Sequence, residues 1–212
     1  MKKIVILISG RGSNMEVLLN AKLNCRVAAV ISNRPNVGGL AVAQSHCIPT
    51  HVVEHRSHPD RESFDAELAK VIDSYQPDFV VLAGFMRILT DSFVNHYPGR
   101  LINIHPSLLP SFTGLHTHAR AIKEGVKIHG CTVHFVTPAL DHGPIIIQAA
   151  VPVMQDDTEA TLAARVLREE HRIFPQVLRW LCAGHVELAS NGKVINHRRK
   201  QPGFALISPA LE

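Results

Sequence analysis

The stretch Ile4-Val5-Ile6-Leu7-Ile8-Ser9-Gly10-Arg11-Gly12-Ser13-Asn14 decides how the chain is read. Its continuous apolar run is what a strand shows when both faces of a parallel sheet are covered. A turn of small residues follows, and from about Ser13 the pattern becomes helical, so the stretch reads strand, turn, helix. Small residues let the backbone curl and aim its N–H groups at an anion beside the helix N-terminus. Two readings of the turn stand side by side: a phosphate site, or a tight strand-to-helix turn with Ser13 as N-cap. A Walker loop is disfavoured, because no Gly-Lys-Ser/Thr is present. A dinucleotide fingerprint lacks its third Gly, where Met15 stands, and its acid after the second strand, where Ser32-Asn33 stand. The loop therefore suggests a mononucleotide-like phosphate and not NAD.

Outward from this stretch, apolar runs alternate with amphipathic ones. A second strand is expected at Val27-Ala28-Ala29-Val30-Ile31 and a second helix after Gly38-Gly39, followed by the short run His51-Val52-Val53. Asp60 to Tyr75 carries Phe64, Leu68, Val71 and Ile72 at helical spacing, and Phe79 to Ala83 is again a continuous apolar strand. The first half thus reads as an open α/β sheet built on parallel strands. Beyond a boundary near Gly99-Arg100 the character changes to a mixed sheet. Leu101 to His105 enters a Pro-rich loop, and Cys131 to Val136 and Ile145 to Val151 read as neighbouring strands around a Gly143-Pro144 turn. Asp157 to Leu181 reads as a long helix, broken or bent near Pro175, with a hairpin across Asn191-Gly192 after it. The last dozen residues read as a poorly specified tail. No repeat or flexible linker interrupts the chain, so residues 1–99 and 100–212 are expected to be halves of one domain.

With 212 residues, 46% hydrophobic and 19% charged, the chain has the composition of an ordinary globular protein. Its net charge of +4 and pI near 9.0 favour anionic ligands, but Lys and Arg are scattered apart from His197-Arg198-Arg199-Lys200. One Trp, two Tyr and eight Phe are few for a polynucleotide surface, so small phosphates are expected and nucleic acid is not. Cys25, Cys47, Cys131 and Cys182 form no CxxC pair and are expected to be reduced and mostly buried. The N-terminal apolar run is too short for a signal peptide, and no stretch is long enough to span a membrane, which points to the cytoplasm.

The chemistry concentrates in Asn103-Ile104-His105-Pro106-Ser107-Leu108-Leu109-Pro110. Strand alternation points Asn103 and His105 the same way. Asp141-His142-Gly143-Pro144 places a carboxylate in a turn that the intervening strand can return to the same site. The Asn103 amide can donate to an oxyanion growing on a formyl carbon, His105 can exchange a proton with an attacking amine, and Asp141 can orient the imidazole. Each alone has a plainer reading, as a strand-end polar residue or a turn aspartate. His116-Thr117-His118 suggests a metal pair, but no carboxylate or Cys joins it at characteristic spacing, and no metal is expected. His51, His55, His58 and His185 are treated as surface or core residues.

At these residues the chain resembles the folate-dependent glycinamide ribonucleotide formyltransferases of purine synthesis, across nearly its whole length. The resemblance rests on Ile8 through Asn14, Leu82-Ala83-Gly84-Phe85-Met86-Arg87-Ile88-Leu89, Asn103 through Pro110, Gly114 through His118, His134-Phe135-Val136-Thr137 and Leu140 through Pro144. It implies a Rossmann-like open sheet, parallel in the N-terminal half and mixed in the C-terminal half. It also implies direct formyl transfer from N10-formyltetrahydrofolate to the amine of glycinamide ribonucleotide, without metal or covalent intermediate. By resemblance Asn103, His105 and Asp141 match the catalytic trio. Gly12, Ser13 and Asn14 match the ribonucleotide phosphate loop, Glu170 a residue bonding the ribose, and Arg61 and Arg87 basic positions near the ligands. Met86, Arg87, Ile88 and Leu89, with the loop at Leu140 and Asp141, match the walls and backbone edges that hold the pterin. Three departures stand out: Arg11 replaces an Asn, Leu167 a Gln and His142 a Gly, the last restricting backbone freedom in its turn.

The nearest rival is a formyltetrahydrofolate hydrolase, which shares the trio but gives the formyl group to water. Its relatives usually carry an extra N-terminal domain, whereas this chain begins at the first strand and keeps a phosphate loop. Formyltransferases acting on aminoacyl-tRNA or nucleotide sugars generally have an added domain. A folate or phosphate sensor, from a different class, needs the pocket but not the full trio. A monomer or homodimer fits the sequence equally.

Overall fold

The computed structural model describes residues 1–198, Leu206 and Ser208. Arg199 and Lys200 of the basic run, and the expected tail apart from Leu206 and Ser208, lie outside the described residues.

Among the described residues nine strands and six α-helices follow one another. β1 (Lys2–Ile8), β2 (Cys25–Ser32), β3 (Thr50–Val52), β4 (Phe79–Leu82), β5 (Leu101–His105), β6 (Ile128–Phe135) and β7 (Ile145–Pro152) form a sheet in the order β3-β2-β1-β4-β5-β6-β7. The pairs β1/β2, β1/β4, β2/β3 and β4/β5 are parallel, and β6/β7 is antiparallel. This is the expected parallel first half and mixed second half. β8 (Val186–Leu188) and β9 (Val194–Asn196) make the expected antiparallel hairpin.

The chain divides into two compact units, one of Met1–Asn103 with Phe135–Ala139, the other of Ile104–His134 with the chain from Leu140 on. In the first, Ile4 through Ile8 of β1 are fully buried, as a strand between two neighbours with both faces covered must be. Helix α3 (Arg61–Ser74) contributes Phe64, Leu68 and Ile72 to the same core as Val80, Phe93 and Tyr97. Its start is set by Asp60, whose Oδ1 accepts from the Ser63 N–H at 2.7 Å, satisfying one otherwise orphaned donor. The strand order turns back between β1 and β4. In open parallel sheets that reversal opens a crevice outside the carboxyl ends of the strands, where ligands bind. The glycine-rich loop and the segment 83–90 are what leave β1 and β4 at those ends.

In the second unit, α6 (Glu159–Cys182) buries Leu162, Val166, Ile173, Phe174, Val177, Leu178 and Leu181 along one stripe. Of the two expected outcomes at Pro175, a break or a bend, the break is corrected: the helix runs through Pro175, which is itself buried among these residues. Packing of the apolar stripe outweighs the missing N–H donor. The expectation of mostly buried thiols is also corrected, because only Cys131 is buried while Cys47 is exposed and Cys25 and Cys182 are intermediate, and none of the four forms a disulfide. The short helices α4 (Asp91–His96) and α5 (Thr117–Lys123) escaped the sequence reading, being too short to show a period.

Gly130 on β6 has no room for a side chain: a Cβ there would lie 2.0 Å from the Ala149 carbonyl oxygen and 2.9 Å from Leu108 Cδ2. Gly130→Ala should therefore destabilise the protein by more than about 3 kcal/mol, since backbone on the facing strand cannot step aside. Thermal unfolding measures it, and an unchanged midpoint would mean that β7 yields freely.

Candidate active site

The loop after β1 is shaped by glycines. Gly12, at φ +77°, is the N-cap of α1 (Ser13–Asn20), which corrects the reading of Ser13 as N-cap and makes Ser13 the first helical residue. No side chain caps this helix end, and the first helical bond runs from the Glu16 N–H to the Gly12 carbonyl at 2.8 Å. An uncapped helix start preceded by a left-handed glycine suits an anion. Gly39, near the start of α2 (Gly38–Ser45), donates its N–H to the Gly10 carbonyl at 3.2 Å. A Cβ at Gly39 would meet Ile8 Cδ1 at 2.6 Å and that same carbonyl at 2.9 Å, so its bareness lets α2 lie against the loop. The sequence marked Gly39 only as a helix start; its contact with the loop is tertiary.

After β4 the chain runs over residues 83–90 without regular structure. Met86 and Ile88 are 60% and 56% exposed, an unusual presentation of large apolar side chains that suits a wall for a flat heterocycle. Leu89 instead joins the core of the first unit, which leaves only its backbone for a ligand. Arg87 stacks over Phe64 at 5.9 Å, and its buried Nε has no hydrogen-bond partner in the protein. The segment hangs between two side-chain acceptors: Ser9 Oγ takes the Met86 N–H at 2.7 Å, and Asp65 Oδ2 takes the Thr90 N–H at 2.6 Å. Asp65 is buried, and burial holds its carboxyl above the usual carboxylate range against the opposing Thr90 bonds. Arg61 opens α3 on an exposed surface and acts electrostatically on Asp65.

Asn103 and His105 both lie on β5, two residues apart, hence on one face of the strand. His105 Nε2 is 3.0 Å from the Phe112 carbonyl oxygen. A carbonyl only accepts, so Nε2 carries a proton and Nδ1 is left for chemistry. Nδ1 faces Asp141 Oδ2 at 3.6 Å, within ion-pair range but longer than a hydrogen bond, with both side chains under 10% exposed (9% and 8%). The same Asp141 oxygen accepts the Gly114 N–H at 2.8 Å, and Asp141 sits at φ +55°, a left-handed conformation that Asp tolerates better than most residues. His142 donates Nδ1–H to the Leu140 carbonyl at 2.6 Å, so this departure from glycine bonds the turn to itself. Leu140 is 50% exposed, and Glu170, on α6, is buried.

The Pro-rich loop that ends in Phe112 is held from below. Thr132 Oγ1, fully buried, donates to the Ser107 carbonyl at 2.6 Å and accepts from the Leu109 N–H at 3.1 Å and Gln148 Nε2 at 3.0 Å. Thr132→Val keeps the shape but leaves a backbone donor and acceptor unmet, a loss of about 2–4 kcal/mol by urea denaturation. A midpoint equal to that of the wild type would show that water replaces the hydroxyl.

Two further imidazoles pack nearby. His129 meets His118 at 5.3 Å and Phe112 at 5.6 Å, both edge to face. Burial, reinforced by His118, pushes the His129 imidazole down to about 4, and burial lowers His118 as well, so both are neutral at pH 7. Burial, with Glu170 and Glu169, pushes the Cys131 thiol up to about 12, which makes it inert as a nucleophile. Among the described residues no group of three or more His, Cys, Asp or Glu side chains is arranged to hold a metal ion. Likewise, no described helix is long and apolar enough to cross a membrane.

A sequence model of the formyl transferases matches residues 2–178. The chain belongs to that family. It is 47% identical to the phosphoribosylglycinamide formyltransferase of Escherichia coli (strain K12), over 95% of this chain and 98% of the relative. The structure of the phosphoribosylglycinamide formyltransferase from Coxiella burnetii superposes with a TM-score of 0.88 at 48% identity, covering 92% of this chain and 93% of that one. A formyltetrahydrofolate deformylase from Pseudomonas syringae pv. tomato superposes with a TM-score of 0.84 at 34% identity, over 92% of this chain and 66% of that one. Structures named as a formyltransferase and as a deformylase thus share the fold of this formyl transferase.

Proposed function

We propose that this formyl transferase moves the formyl group of N10-formyltetrahydrofolate to the amine of glycinamide ribonucleotide, in purine biosynthesis, as a single cytoplasmic domain acting as monomer or homodimer. The observation that carries the reading is the His105–Asp141 pair, His105 standing two strand positions beyond Asn103, with Nε2 already committed to Phe112 and Nδ1 facing the carboxylate. That is an acyl-transfer inventory with a general acid–base group, its orienting carboxylate and an amide donor.

In this reading the neutral amine attacks the formyl carbon. The Asn103 amide and the protonated His105 donate to the oxyanion, and Asp141 balances the imidazolium charge. Collapse breaks the bond to N10, which leaves carrying the proton that the amine has lost. Gly12, Ser13 and Asn14 hold the phosphate, Glu170 the ribose, and Arg61 and Arg87 the anionic parts of the ligands. Residues 86–89 and Leu140 border the pterin, an arrangement that the exposed Met86 and Ile88 support. The reading needs no metal and no nucleic-acid partner.

The test is formyl transfer by purified protein in chelator and without ATP, following folate deformylation and formylated product with and without glycinamide ribonucleotide. Deformylation that depends on the amine, with matching product, is the expected result. Deformylation without the amine assigns the chain to the hydrolases, and ligand binding without turnover assigns it to the sensors.

A further inference from the structure

Ser9 occupies a position that the trio does not explain. It follows the last residue of β1, is 5% exposed, and its hydroxyl is used in both directions. Its Oγ accepts the Met86 N–H at 2.7 Å and donates to Asn33 Oδ1 at 2.6 Å. An amide N–H only donates and a carbonyl oxygen only accepts, so the polarity of the hydroxyl is set from both sides. Asn33 is 1% exposed and is itself held, because its backbone carbonyl accepts from the His55 N–H at 3.3 Å and from His55 Nδ1–H at 2.8 Å. The next residue after Ser9 is Gly10, whose carbonyl is bound by Gly39. One buried hydroxyl therefore joins the first residue of the glycine-rich loop to the first residue of the exposed apolar wall. Below it, the strands are locked in register, the Ala83 N–H donating to the Leu7 carbonyl at 2.9 Å.

We propose that Ser9 is a positioning residue that couples the two ligand loops of the first unit, so that a phosphate held by residues 10–14 tightens the grip of residues 86–89 on the folate, and the reverse. The proposal rests on the ligand assignment above. Its physical basis is that a shift of the glycine-rich loop on binding an anion moves Ser9, and Ser9 carries the Met86 amide with it. Each ligand thereby orders backbone that the other must otherwise order, which is a coupling free energy and is reciprocal. A hydroxyl that served stability alone would change unfolding and leave the coupling untouched.

The experiment is equilibrium binding of tetrahydrofolate, which has no formyl group to transfer, with and without saturating glycinamide ribonucleotide, and then the reciprocal titration. The wild type should show a coupling factor of about 5-fold or more, within the usual range for linked sites. Ser9→Ala should bring that factor close to one, and Ser9→Thr, which keeps the hydroxyl, should restore part of it. Hydrogen exchange of the Met86 amide in the wild type gives a second readout that needs no variant: ribonucleotide alone should slow it. If Ser9→Ala binds both ligands with undiminished coupling, or if Met86 exchange ignores the ribonucleotide, the proposal is overturned while the ligand assignment stands. If the wild type binds neither ligand, the assignment and the coupling fall together.

Discussion

Asn103→Ala should lower kcat by about 10²–10³-fold, the usual cost of removing one donor from an oxyanion site, while changing the affinity for either substrate far less. The asymmetry follows from where the negative charge is. The formyl oxygen of the bound ground state is neutral and asks little of an amide donor. The oxyanion on the way to transfer is charged, and its stabilisation depends on donors already in place. Asn103 is placed by β5, whose pairing with β4 in the register Leu82↔Asn103 leaves its backbone little freedom. Steady-state kinetics with both substrates varied, beside direct titration of tetrahydrofolate, separates the two effects. A variant with near-normal kcat would remove Asn103 from the chemistry, and a variant with raised KM and normal kcat would make it a binding residue.

Asp141→Asn should lower kcat by about 10²-fold or more, on the scale that general acid–base groups contribute. The substitution is close to isosteric. The new amide oxygen can still accept the Gly114 N–H that Oδ2 accepts at 2.8 Å, so the turn keeps its anchor. What is lost is the negative charge facing His105 Nδ1 at 3.6 Å. Because Nε2–H is committed to the Phe112 carbonyl, the ring cannot answer by offering its other nitrogen. Turnover should fall, with tetrahydrofolate affinity and thermal midpoint near those of the wild type. A fall in affinity equal to the fall in turnover would mean that Asp141 holds the folate and does not act through the imidazole.

Much of the site is legible in linear order. Asn103 and His105 are two residues apart on a strand, so alternation alone aligns them. The Gly12-Ser13-Asn14 turn is legible because a strand run and a helix pattern bracket it. The departures at Pro175 and Cys47 have one cause, since neither a helix carried through proline nor an exposed thiol follows from residue type. Packing of the α6 stripe decides the first, and the surface loop before β3 decides the second. Ser9, Asn33 and His55 were visible as letters but not as a group. Hydrogen bonds between residues 24 and 77 positions apart leave no periodicity or local spacing to read.

The sequence by itself determined the class of fold, the loops that leave β1 and β4, and the shared strand face of Asn103 and His105, because periodicity, turn chemistry and strand alternation are local properties. Only the tertiary structure decided which nitrogen of His105 is available, that Asp141 faces it, and that one serine hydroxyl joins the loop after β1 to the segment after β4. Those depend on distances across the chain, and such distances are set by sheet register and by the packing of bare glycines against backbone.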